Sequence, residues 1–187
     1  MAEKEAPTSV ALWPTLEWGE STDYFVFTVT PVERRSPRTK KVGTYQVIGA
    51  PDWVNVIART RDGQIVLIEQ YRHGIDGLTL EIPGGMVEKD EDPGAAGARE
   101  LEEETGYVGD PPVLIGTVEP NPAIQTNRCF TYLIDNAAAD GEMQWDDGED
   151  IRVLTVPESQ IDDLLRRGEI THSLVVAAFH WLALHKP

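Results

Sequence analysis

The chain has 187 residues, 41% apolar and 26% charged, with five Trp, five Tyr and four Phe. That length can build one sizeable core, and the apolar share excludes a disordered polymer. Sixteen Lys plus Arg against 32 Asp plus Glu leave a net charge of −16, which repels nucleic-acid backbones and anionic membranes, so neither is expected as a partner.

Residues 1 to about 20 read as an arm interrupted by Pro7 and Pro14, followed by a strand-like run over 24–30. The stretch 31–41 is basic and cut by Pro31 and Pro37, which predicts a loop or exposed hairpin, and 43–48 resumes as strand. Two β-branched runs, 53–58 and 64–71, flank Arg61-Asp62-Gly63, a hairpin signal because Asp-Gly tolerates positive φ. After a further strand at 78–82, Pro83-Gly84-Gly85 predicts a loop. The next helix has well-marked ends: Asp92 suits the N-cap, Pro93 the first helical position, and Gly106 the left-handed residue that closes it.

Strands are expected at 113–118, 129–134 and 151–156, with an acidic loop over 140–150. Two helices follow. One covers 159–167 and stops at Gly168. The other covers 171–185 and carries Leu174, Ala177, Ala178, Trp181 and Leu182 as a core-facing stripe. This order implies an α/β protein, a mixed β-sheet between helices in α/β/α layers. No apolar run reaches the roughly 18 residues that cross a bilayer, and Met1-Ala2-Glu3-Lys4-Glu5 lacks the layout of a secretion signal, so a cytoplasmic protein is expected. The lone Cys129 reads as a packing residue.

On a helical wheel of residues 93–105, Glu100, Glu103 and Glu104 share a sector of roughly 100° opposite Ala95, Ala98, Leu101 and Thr105. Like charges on neighbouring turns repel by a few tenths of a kcal/mol per pair, and Arg99 is the one basic residue among them. A hard divalent cation such as Mg²⁺ would relieve that repulsion, since it takes a few carboxylate oxygens together with phosphate oxygens and water. Arg99 precedes Glu103 by four residues and is placed to hold that side chain while the other acids face the ion.

Gly85, five residues, Glu91, seven residues, and then Arg99-Glu100-Leu101-Glu102-Glu103-Glu104-Thr105-Gly106-Tyr107 resemble a complete Nudix box. Looser similarity to the ADP-ribose and nucleoside diphosphate sugar hydrolases of that family runs through Gln70-Tyr71-Arg72, Leu80-Glu81-Ile82-Pro83-Gly84-Gly85 and Gly148-Glu149-Asp150. The resemblance implies a Nudix fold with an N-terminal β extension, residues 1–42 forming a dimerisation arm and 43–187 the catalytic domain of a homodimer. It also implies a Mg²⁺-dependent pyrophosphohydrolase, with Mn²⁺ as a possible substitute, acting on a small-molecule nucleoside diphosphate sugar or ADP-ribose. By position, Glu100, Glu103, Glu104, Glu149 and the Gly84 carbonyl match metal ligands, and Glu149, Asp147 or Glu103 the catalytic acid or base. Arg72, Glu81, Arg99 and Trp53 are substrate-side candidates, with Tyr24 and Phe25 as further aromatic ones. The segment Glu119-Pro120-Asn121-Pro122-Ala123-Ile124-Gln125 lacks the Ser-Pro-Gly-Gly type of turn of some ADP-ribose hydrolases, which argues against strict ADP-ribose specificity. The competing readings are a Nudix enzyme of nucleoside triphosphates, dinucleoside polyphosphates or capped RNA, and a non-catalytic binding module. The second would suit a chain whose box acids were replaced, and here none is.

Overall fold

A computed structural model of the chain describes residues 10–145, 148 and 150–185. Two compact units emerge, residues 1–50 with 121–126, and residues 51–120 with 127–187. The first is an antiparallel sheet of β1 (Thr15–Trp18), β2 (Thr22–Asp23), β3 (Thr28–Arg35) and β4 (Val42–Gly49), in which β3 pairs with all three others. Because β3 and β4 pair along eight residues each, this unit takes in Val42–Gly49 and extends to Ala50. Strand β3 begins on residues 28–30 expected as strand and runs on through 31–35, so the stretch expected as a loop or exposed hairpin is a hairpin turning into β4, while residues 24–27 expected to be strand form a bend. Pro31 is tolerated inside β3 because its carbonyl, and hence its missing N–H, faces the break between β1 and β2, where Gly19 N donates to Pro31 O at 2.8 Å. The ladder to β4 therefore loses no donor there.

The second unit contains β5 (Trp53–Thr60), β6 (Gln64–Arg72), β7 (Gly77–Glu81), β8 (Gly84–Met86), α1 (Pro93–Thr105), β9 (Val113–Val118), β10 (Cys129–Ala137), β11 (Ile151–Pro157), α2 (Ile161–Arg166) and α3 (Ser173–Leu184). A mixed sheet runs β11-β6-β5-β10-β9, with β5 and β10 parallel. The Asp62-Gly63 turn joins β5 to β6 with Gly63 at φ +78°, yet the two strands pair only at Arg59 and Ile65. Beyond that point they splay. β7 then takes the free edge of β6, and β8 takes the free edge of β5. Gly84 and Gly85, expected as loop, thus join Met86 in a three-residue strand, while Pro83 stays outside it.

Strand alternation sorts the core onto two faces. Ile57, Ile65, Leu67 and Leu133 meet Ile161, Leu164, Val175, Ala178, Phe179 and Leu182 of α2 and α3. Val56, Ala58, Val66 and Ile134 meet Leu101 of α1, while Val54 and Tyr132 meet Ala96. The α/β/α layering is thereby realised. Helix faces are rotated slightly from expectation: α3 buries Val175 and Phe179 with Leu174, Ala178 and Leu182, leaving Ala177 and Trp181 half-buried. The short helix expected over 159–167 begins with a 3₁₀ turn, Glu158–Gln160, before α2. No described helix is long and apolar enough to cross a membrane.

Leu101 is 1% exposed and is the large apolar anchor of α1 on its face of the sheet. Leu101→Ala should cost roughly 2–4 kcal/mol, from lost transfer energy and the cavity left behind. Chemical denaturation followed by circular dichroism measures it; a loss under about 1 kcal/mol would mean that the helix is anchored elsewhere.

Candidate active site

Helix α1 begins where Asp92 accepts hydrogen bonds from Gly94 N and Ala95 N, and it ends where Gly106 turns left-handed at φ +70° with its N–H on Glu102 O. Its packed side holds Gly94, Ala96, Gly97, Leu101, Glu104 and Thr105. Ala95 is exposed, so the expected wheel is turned by part of a residue, and Glu104 lies on the buried side, 4% exposed, instead of the open acidic one. The reason is a specific partner: Gly84 N on β8 donates to Glu104 Oε2 at 2.9 Å. Burying a carboxylate costs several kcal/mol unless hydrogen bonds answer it.

Both glycines of that turn are dictated by close approach. A Cβ on Gly84 would lie 2.3 Å from Val54 O and 2.8 Å from Asn55 Cα; one on Gly85 would lie 2.5 Å from the carboxylate of Glu100. Gly84 is thus pressed against backbone and Gly85 against the end of an acidic side chain, while the residues stay in register with β5 through Asn55 opposite Gly84 and Val54 opposite Gly85.

Arg99 ties the acids together. Its Nη1 donates to Glu100 Oε1 at 3.0 Å and to Glu103 Oε2 at 2.9 Å, its Nε and Nη2 grip Glu91 at 3.0 and 3.1 Å, and Nη2 also reaches Met86 O at 3.3 Å. The expected contact to Glu103 is present, but Glu100 shares it. Hydrogen bonding from Arg99 to Glu91, which outweighs the small effect of burial, lowers the Glu91 carboxyl below its ordinary value. The Glu91 partnership is what ties the box's isolated Glu to its Arg.

On the neighbouring strands Arg72 grips Glu81 with two 2.8 Å bonds, Nε to Oε1 and Nη2 to Oε2. Glu81 is 2% exposed. Burial pushes its carboxyl up, but hydrogen bonds from Arg72 and Thr79, the nearby His172 ring and the charge of Arg72 overturn that and hold it well below the usual carboxylate range. The charge of Glu104 also acts on Arg72, adding to the Glu81 contacts that raise its pKa.

The acidic loop starts against the end of α1, where Gln144 N donates to Glu103 O at 2.9 Å and Trp145 Nε1 to Glu104 O at 3.0 Å. It ends where Ile151 pairs with Gln70 on β6. Asp147 and Glu149 lie outside the described residues. Trp53 opens β5, half-buried between Met86 on β8 and Cys129 on β10. Tyr24 and Phe25 belong to the other unit and are 54% and 102% exposed. His172, Thr79, Gln144 and Trp145 had no sequence signal, since their contacts depend on chain crossings that no local pattern encodes.

Among the described residues no three His, Cys, Asp or Glu side chains are gathered as a ready cage for an ion. The donor chemistry nevertheless fits a hard cation: carboxylates of Glu100 and Glu104 flank a glycine turn that a single Cβ would obstruct.

The NUDIX domain model matches residues 51–179. The chain is 27% identical over 145 residues to an ADP-ribose pyrophosphatase of Bacillus subtilis, covering 77% of this chain and 78% of that protein. It is 44% identical over 79 residues to a methanol dehydrogenase activator of Bacillus methanolicus, covering 42% and 41%, and 32% identical over 122 residues to an ADP-sugar pyrophosphatase of Mus musculus, covering 61% and 54%. The alignments to these last two therefore span about half of each protein's length. A solved ADP compounds hydrolase superposes with a TM-score of 0.84 at 18% identity, covering 95% of both chains, and establishes the likeness of fold.

The two glycines should respond differently to a methyl group. Gly84→Ala collides with backbone and should lower the melting temperature by several degrees, since about 1 kcal/mol corresponds to 2–4 °C at this size. Gly85→Ala meets a side-chain end that can swing away, so it should melt within about 2 °C of wild type and instead weaken binding of Mn²⁺, read by calorimetry. Equal melting losses in the two variants would contradict this division.

Proposed function

Because the chain belongs to the Nudix family, we propose that it is a divalent-metal-dependent pyrophosphohydrolase that splits ADP-ribose or a related nucleoside diphosphate sugar into a nucleoside monophosphate and a sugar phosphate. The observation that carries this reading is the set of acids on α1 with Arg99 as their clamp, of which Glu104 and Glu100 stand against the Gly84-Gly85 turn. The pyrophosphatase names of the Bacillus subtilis and mouse relatives support the substrate class.

Nudix hydrolases generally need a divalent metal ion, and Mg²⁺ is the one proposed here, with Mn²⁺ able to replace it. Glu100, Glu103, Glu104, the Gly84 carbonyl and Glu149 are the proposed ligands. Bound there, the cation supplies charge neutralisation on the phosphates and a water of lowered pKa. Arg99 keeps Glu100 and Glu103 turned to a common side, which limits the freedom they lose on binding. Arg72 spends Nε and Nη2 on Glu81 and makes no other hydrogen bond among the described residues, so Nη1 is the donor proposed for a phosphate oxygen. In the net reaction water adds to one phosphorus, the bridging P–O bond breaks, and the departing oxygen leaves as the second phosphomonoester.

Glu149 or Asp147 is proposed as the base that takes the proton from water. The docking of Gln144 and Trp145 on the acidic turn of α1 supports a base from this loop. Glu81 does not suit that role, because its oxygens are already engaged by Arg72, Thr79 and His172. Trp53, half-buried at the start of β5, is proposed to pack against the substrate's base or ribose. The net charge of −16 supports a small-molecule partner in preference to nucleic acid.

With Mg²⁺ and a panel of ADP-ribose, ADP-glucose, GDP-mannose and nucleoside triphosphates, the purified protein should release phosphomonoesters from the diphosphate sugars. Glu103→Gln and Glu104→Gln should each lower that rate by about a hundredfold or more, as expected for groups that hold charge in the transition state. Turnover confined to triphosphates would reassign the substrate; no turnover with any compound would end the hydrolase reading.

A homodimer formed through residues 1–42 is also proposed. Its support is the first unit's surface, where Trp13, Leu16, Trp18, Tyr24, Phe25, Val26, Val42 and Tyr45 are each at least 40% exposed, an apolar density that marks an interface. Light scattering after size exclusion should give twice the chain mass of 20.7 kDa; a species at the single-chain mass alone would reject it.

A further inference from the structure

The carboxylate of Glu81 is filled from every side. Oε1 accepts from Arg72 Nε at 2.8 Å and Thr79 Oγ1 at 2.5 Å; Oε2 accepts from Arg72 Nη2 at 2.8 Å and faces His172 Nδ1 at 3.1 Å. A carboxylate offers about four acceptor positions; hydrogen bonds from Arg72 and Thr79 take three, and His172 Nδ1 stands nearest the fourth. Thr79 sits two residues away on the same strand and same face, and Arg72 sits across the β6–β7 ladder. His172 comes from another element. It is the residue ahead of α3, where its backbone carbonyl accepts from Val175 N and Val176 N, both at 3.0 Å, so its main chain is fixed by the helix it starts. Its Nδ1 is shielded from solvent and lies off the line of a directed hydrogen bond, close enough to Glu81 to act through charge and dipole.

The arrangement has a mechanical consequence. Arg72 makes no hydrogen bond other than those to Glu81 among the described residues, so the direction of its remaining N–H groups is set by the plane of that carboxylate. The terminal torsion of Glu is broad and soft. Thr79 fixes one oxygen; without His172, the other is held by Arg72 alone, and the two groups can rotate together. His172 Nδ1 stands 3.1 Å from that second oxygen.

We propose that His172 is a positioning residue for the diphosphate: it locks the Glu81 carboxylate, and through it aims the Arg72 guanidinium. The proposal rests on the reading of Arg72 as the phosphate-side group. His172 need not touch substrate, and it carries no proton in the reaction. A group oriented through one intermediary transmits a displacement of about 1 Å into losses near a hundredfold.

Two measurements test it. The first is a cycle of wild type, His172→Ala, Arg72→Ala and the double variant, read as kcat and KM on whichever nucleotide the wild type cleaves. If His172 acts through Arg72, His172→Ala loses roughly ten- to a hundredfold in kcat/KM and the double variant is no worse than Arg72→Ala. His172→Asn, which can place a polar N–H near the same carboxylate oxygen, should recover most of the loss, and His172→Phe, which keeps the ring bulk without the polar nitrogen, should not. Losses that multiply in the double variant, or equal activity in Asn and Phe variants, overturn the proposal. The second measurement needs no substrate: the Arg72 Nε–H resonance, assigned by its disappearance in Arg72→Lys, should exchange slowly in wild type and His172→Asn and rapidly in His172→Phe with the amide spectrum otherwise preserved. A slow signal in the Phe variant rejects the proposal even if the protein cleaves no diphosphate sugar, and a rapid one upholds it even then.

Discussion

Between β5 and β6 the sheet opens, and the backbone that fills the opening comes closer to β5 than any side chain would allow. Pairing at Arg59 and Ile65 alone leaves two free strand edges, which β7 and β8 cover. The cover works because Gly84 presents only hydrogen toward Val54 O, where a Cβ would sit at 2.3 Å. Unpaired backbone groups at a buried edge cost free energy comparable to lost hydrogen bonds, so this contact decides whether the segment from Glu81 to Met86 lies in the sheet. Once it does, Gly84 N meets Glu104, Gly85 meets Glu100, and Glu81 lands beside Arg72.

Charge then organises what the backbone has gathered. A chain of net charge −16 cannot leave Glu81, Glu91, Glu100, Glu103 and Glu104 near one another without cations. Arg99 spans three of the acids, and Arg72 takes a fourth. The two arginines play different parts. Arg99 distributes its donors over partly exposed carboxylates, each contact worth little alone but together fixing a face. Arg72 commits a bidentate pair to one almost fully buried acid, which also accepts from Thr79 and has His172 Nδ1 at 3.1 Å. The first arrangement leaves acids that can exchange an arginine for an ion. The second gives a rigid guanidinium.

The loop end adds a third layer. Glu104 turns its side chain to the glycine turn and Glu103 to Arg99, while their backbone carbonyls moor Trp145 and Gln144. Orphan carbonyls at a helix C-terminus need donors, and here the indole and a loop amide provide them, so helix termination and loop attachment are one event.

Much of this was legible in the residues. Asp92, Pro93 and Gly106 bounded α1 because caps act within a turn or two of chain. The β-branched runs around Asp62-Gly63 announced their hairpin, and the spacing from Gly85 through Gly106 singled out the acids and their arginine. Local rules misjudged Pro31, which is harmless where a neighbouring strand breaks, and Gly84-Gly85, whose aversion to sheets is reversed when only glycine can fit. The wheel placed Glu104 on an open face because it could not see a donor on another strand. What the sequence by itself determined was the periodicity, the helix ends and the inventory of acids, all set by short-range sterics and hydrogen bonding. Only the tertiary structure decided which acid is buried, that Arg72 serves Glu81, and that His172 stands behind both, because those contacts join strands and helices up to about a hundred residues apart and exist only once the sheet has closed around Gly84.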